Sequence, residues 1–111
     1  MSELEQFREI FTSCNRKYWD MLDTLKSISK STDDLNDQDK SNLTQYFNLC
    51  AEEYLYYKKY IIPSDVWNSW SIGMKSYITS DERIKEYWLE EVSTDSYYGI
   101  DKALKIHKCN K

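Results

Sequence analysis

The stretch LEQFREIFTSCNRKYWDMLDTLKSI, Leu4 to Ile28, decides the fold. Its apolar positions Leu4, Phe7, Phe11, Cys14, Tyr18, Met21, Leu25 and Ile28 step alternately by 3 and 4. That alternation is a heptad seam, because it keeps side chains on one face of a helix turning once every 3.6 residues or so, about the α-helical repeat. The pattern predicts one long helix over residues 3–28, with Ile10, Trp19 and Leu22 widening the stripe enough to meet more than one neighbour. The chain has 111 residues and only 2 glycines and 1 proline. A glycine-rich phosphate cradle or a many-turned β-sandwich lacks the residues its turns need. The expectation is a single all-α domain over residues 1–111, a helical bundle of four main helices.

Outward from the seam, SKSTDDLNDQDKS (29–41) holds one apolar residue and four aspartates and reads as a solvated acidic connection. Asn42 with Gln45 three positions on resembles a reciprocal cap, so a second helix is expected over about 42–61, ahead of Pro63. Its inner face carries Leu43, Tyr46, Phe47 and Cys50, and an aromatic patch of Leu49, Tyr56 and Tyr60 lies beside that face. Ser64 can cap a third helix (65–78), with Trp67, Trp70, Gly73 and Met74 in its stripe and Ser69, Gly73 and Ser76 as a small-residue edge. Because a mid-helix glycine is less stable than alanine by about 1 kcal/mol, Gly73 predicts close approach of a ring or backbone. Thr79 with Glu82 suggests the cap of a fourth helix (80–92), and the tail 93–111 leaves room for a short C-terminal helix over 101–107.

Charge and rare residues narrow the chemistry. Fifteen basic against 19 acidic side chains give a net charge of -4, which disfavours nucleic acid, whose binding needs phosphates neutralised. The three cysteines, Cys14, Cys50 and Cys109, show no CxxC spacing; with no apolar leader or membrane span apparent, the chain reads as cytoplasmic with reduced thiols. A single histidine, His107, rules out a di-metal site built on Glu-x-x-His pairs. A calcium loop beginning at Asp37 would place Asn42 at its glycine position and Asn48 at its bidentate glutamate position. No metal and no cofactor is expected. His107 and Cys109 are close enough to form a nucleophile pair, but the frayed lysine-rich tail KIHKCNK fits an ordinary exposed thiol better. Cys14 and Cys50 fall on apolar faces and read as core.

Glu53 is more informative, since the helical wheel places it between the core stripe and the aromatic patch. A carboxyl buried there needs donors and titrates high without them. A structural hydrogen bond to a tyrosine hydroxyl or an indole N–H is the favoured expectation, ahead of acid–base work. The first helix should also outreach the second, leaving Phe7, Phe11 or the Leu25 and Ile28 end to be covered either by a second copy of the chain, the favoured expectation, or by helices three and four and the terminal segment in a closed monomer.

The residues 46–99, with YFNLCAEEYLYYKKYIIPSDVW, SWSIGMKSY, IKEYW and SYYG, resemble a group of small bacterial domains of unknown function. The shared pattern is a Glu-rich aromatic helix, a Val-Trp pair, a Trp-x-x-Gly-Met segment and a later Trp, over about half the chain. Similar sequences often carry glycine in the turn where this chain has Tyr60. The resemblance implies an all-helical bacterial domain and supplies no catalytic residue. The reading that follows is a non-enzymatic protein–protein association module, homodimeric through a seam of Leu4, Phe7, Phe11, Tyr18, Leu25 and Ile28. One alternative is a small-molecule-binding protein or enzyme whose aromatic pocket is floored by Glu53 and walled by Tyr57, Trp70 and Trp88. Another is a regulatory or phage-conflict protein that caps an unidentified host protein through Leu49, Tyr56 and Tyr60.

Overall fold

Ser2 opens the first helix by accepting the Glu5 N–H at 3.1 Å, and Glu3 and Glu5 place negative charge at the positive helix end. The resulting α1 (Glu3–Lys30) is 28 residues long, about 42 Å at the helical rise. It sets the longest dimension of the molecule, 47 Å. A computed structural model describes residues 2–108, and there α1 is followed by α2 (Asp37–Lys58), α3 (Ser64–Thr79), α4 (Glu82–Val92) and a short α5 (Ile100–Leu104). The chain is an all-α helical bundle. α2 is its centre, packed by α1, α3, α4 and α5.

Helix starts differ from the sequence expectation, and side-chain capping explains how. α2 begins at Asp37, inside the stretch expected to be a solvated connection. Asn36 accepts the Asp39 N–H at 2.8 Å and Asp39 accepts the Asn36 N–H at 3.1 Å, a reciprocal capping box with Asp in place of Glu. Asn42, the expected cap, instead accepts from the Gln38 side chain within the helix at 3.2 Å. Thr79 likewise does not open α4: its hydroxyl donates back to the Lys75 carbonyl at 2.7 Å, while Asp81 accepts the Arg83 N–H at 2.8 Å. Pro63, not Ser64, precedes the first turn of α3, and α5 stops at Leu104, short of residue 107.

α2 ends at Lys58, ahead of the expected Ile61, because Tyr60 turns left-handed at φ 62°. The Ile61 N–H reaches the Tyr56 carbonyl and the Tyr60 N–H reaches the Tyr57 carbonyl, each at 3.0 Å, which is the Schellman closure normally built on glycine. The Tyr60 side chain is 95% exposed and contributes no packing there. Tyr60→Gly is therefore expected to stabilise the protein by about 1 kcal/mol, relieving the left-handed penalty. Chemical denaturation checks this, and an unchanged or lower midpoint contradicts it.

The core gathers Leu43 and Phe47 from α2, Ile78 from α3, Ile84 and Trp88 from α4 and Ile100 from α5. Trp88 meets Phe47 edge to face, ring centroids 5.0 Å apart at 83°. Two ties fasten the far end of α1. The Tyr77 hydroxyl donates to the Leu25 carbonyl at 2.7 Å, and Arg83 donates to the Ile28 carbonyl at 2.9 Å and to the Asp33 carbonyl. Asp81 holds that guanidinium from behind at 2.6 Å, and the bond in turn keeps the Asp81 carboxyl below its ordinary pKa. Of these three carbonyls only that of Ile28 belongs to the last turn of α1, where it also accepts the Ser31 N–H at 3.3 Å. Among the described residues no helix is long and apolar enough to cross a membrane.

Candidate functional site

α1 and α3 both pack on α2, and between them lies a cleft of about 300 Å³. Its ends are fixed by two contacts between those helices. At one, Phe11 stacks on Trp70 with centroids 5.7 Å apart and planes 8° from parallel; at the other stands the Tyr77 bond to Leu25. α1 supplies Asn15, Tyr18 and Trp19 to the cleft, and α3 supplies Ser69, Trp70, Gly73 and Met74. Tyr46 and Glu53 of α2 form the floor.

The cleft exists because the α3 wall is small where it could be large. Gly73 was expected to mark close packing, and the structure corrects that: a Cβ built there meets nothing within 4 Å. With Ser69 one turn before it, the glycine leaves space between the Trp70 ring and the α1 side chains. Trp19, expected to broaden the buried stripe of α1, stands 69% exposed at the rim.

Glu53 supplies the floor's carboxyl, and the residue is 7% exposed. Its carboxyl makes no hydrogen bond to any described residue, so the expected structural bond to a tyrosine or tryptophan is absent. The nearby Tyr56 hydroxyl donates to Glu52 instead, at 3.1 Å, and Glu52 also pairs with Lys17 at 3.2 Å. Burial, with the neighbouring charge of Glu52 adding to it, pushes the Glu53 carboxyl up from 4.5 to about 8. The same burial raises the Cys14 thiol to about 12, with Glu53 contributing, and raises Cys50 and Tyr46 well above their ordinary values. At neutral pH the floor is thus an unpaired carboxylic acid among neutral groups.

The other residues singled out from sequence fall in several places. Leu25 and Ile28 of the seam are buried within the chain, Leu4 is 62% exposed, Phe7 and Phe11 are half-buried, and Tyr18 lines the cleft. Of the four expected pocket residues, Glu53 and Trp70 border the cleft. Trp88 does not, being wholly inside the core, and Tyr57 stacks on Trp67 at 5.4 Å instead. Leu49, Tyr56 and Tyr60 form no shared exposed patch, since Leu49 is buried and Tyr56 is half-buried on Glu52. Cys14 and Cys50 are buried free thiols and His107 is exposed; Cys109 lies outside the described residues. Sequence reasoning missed Asn15, Trp19 and Tyr46 as lining; the signal for the cleft itself was the small edge of Ser69 and Gly73 beside Trp70. Comparison with protein-family models, with curated proteins and with solved structures found no match.

Proposed function

We propose that the protein binds a small ligand in the cleft between α1 and α3. One observation carries the reading: Glu53, a residue 7% exposed whose carboxyl lacks a hydrogen-bond partner among the described residues, borders an open aromatic space of about 300 Å³. Leaving an ionisable group in that state is costly, and such groups concentrate where a ligand completes their environment. The volume is at the small end of ligand pockets, which start at about 300 Å³. Glu53 is the only acid in the lining, and no His, Lys or Arg stands there, which favours binding over acid–base turnover. Buried free thiols at Cys14 and Cys50 accord with a cytosolic setting.

A thermal-shift panel of metabolites tests the reading, with Gly73→Leu as the control that fills the cleft from an open position. A ligand at about a hundred times its Kd is expected to stabilise the parent by about 2.7 kcal/mol and to leave the variant unmoved. Silence across the panel, or equal shifts in both proteins, refutes it.

Self-association as a homodimer is the second reading, favoured by large apolar side chains left outside: Leu4 at 62%, Trp19 at 69% and Ile72 at 71% exposed. Sedimentation at micromolar concentration is expected to show a dimer that Ile72→Glu weakens. A monomeric parent retires this reading.

A further inference from the structure

The sign and shape of the cleft lining narrow the ligand. Its one carboxyl is that of Glu53, and the ring-bearing walls come from three helices: Tyr18 and Trp19 from α1, Tyr46 from α2, Trp70 from α3. No Lys, Arg or His lines the cleft to meet an anion, and Lys17 of α1 is held by Glu52 at 3.2 Å. A divalent metal ion is no better served. It needs several oxygen ligands, and among the described residues no cluster of three or more His, Cys, Asp or Glu side chains could hold one. A primary ammonium needs an acceptor converging on each of its three N–H donors, whereas four aromatic side chains line the cleft and Glu53, Asn15 and Ser69 are its non-aromatic polar side chains. A quaternary ammonium needs none, and aromatic rings around a carboxylate suit it through the negative faces of the rings.

We propose that the cleft accepts a small quaternary-ammonium cation, its charge set over the Glu53 carboxylate and its alkyl groups against the rings of Tyr18, Trp19 and Trp70. The proposal rests on the cleft being a binding site and adds the chemistry of the occupant. It also makes binding release a proton. The free carboxyl sits at about 8 and is mostly protonated at neutral pH, whereas a cation beside it favours the ionised form. The thiols and the phenol packed against it are raised by burial: Cys14 from α1, and Cys50 and Tyr46 from α2. Tyr18 of α1 lines the same cleft, and Glu52 is paired with Lys17. α3 faces it with Ser69, Trp70, Gly73 and Met74, none of which ionises. Affinity for a cation whose own charge is fixed therefore rises about tenfold per pH unit below the free pKa and levels above it.

Calorimetric titration with choline, tetramethylammonium and 3,3-dimethylbutan-1-ol, the uncharged analogue of choline, tests this. Choline is expected to tighten about tenfold between about pH 6 and pH 7 and to level above about pH 8. The alcohol should bind at least about tenfold more weakly and without that slope, and Glu53→Gln, with an unchanged helical spectrum, should lose both the choline affinity and the slope. Equal binding of choline and the alcohol overturns the cation assignment, as does choline binding that Glu53→Gln leaves intact. Silence of both ammonium compounds, while neutral metabolites still shift the parent and not Gly73→Leu, also overturns it and leaves the cleft as a site for another ligand. Silence of charged and neutral compounds alike removes both readings.

Discussion

Glu53→Gln is expected to stabilise the ligand-free protein by about 3 kcal/mol at pH 7. Burial, and secondarily Glu52, raise the folded-state carboxyl from 4.5 to about 8. Between those values the folded protein holds a proton that the unfolded chain has released, so stability falls as pH rises through this window. Below it the acid is neutral in both states and carries no penalty; above it the penalty is complete. Glutamine keeps the shape and never ionises. The gain should be about 1 kcal/mol or less near pH 5, grow through neutrality and level off above about pH 8. Urea unfolding of both proteins at those three points measures it, and a difference that is absent or independent of pH contradicts the assignment.

The opposite extreme is Trp88. It is fully buried and meets Phe47 edge to face at 5.0 Å, so Trp88→Ala is expected to destabilise by about 3–5 kcal/mol through lost contacts and a residual cavity. Trp88→Phe separates two contributions. Phenylalanine leaves a smaller void and also removes an indole N–H that has no hydrogen-bond partner among the described residues. Deleting an unsatisfied buried donor offsets part of the lost packing, so the phenylalanine variant should lose less than half as much as the alanine variant. Denaturant midpoints of the two variants decide it, and a phenylalanine variant that loses as much as the alanine variant contradicts it.

Much of the architecture was readable because periodicity is a local signal. The seam from Leu4 to Ile28 located α1 to within two residues at its end, since every step of 3 or 4 repeats the same constraint. The start of α2 was misread because its first turn is acidic: Asp37 and Asp39 look like solvated loop residues on composition, yet they stabilise a helix start by charge and by capping. The cleft was only half legible. The wheel brought Glu53 to the edge of the core but could not say whether a donor faced it, because that depends on how far apart α1 and α3 lie. Gly73 carried the right alarm and the wrong meaning, as a missing side chain admits a neighbour or empty space equally. Trp88 lies in the core and not in the pocket, because α4 has one apolar face and the core claims it first.

The four indoles divide into two populations: Trp19 and Trp70 border the cleft, while Trp67 and Trp88 are buried away from it. The molecule therefore carries a built-in optical gauge. Emission from the water-facing pair should shift to shorter wavelength or quench when the cleft fills, against a steady background from the interior pair, so occupancy can be followed without attaching a dye.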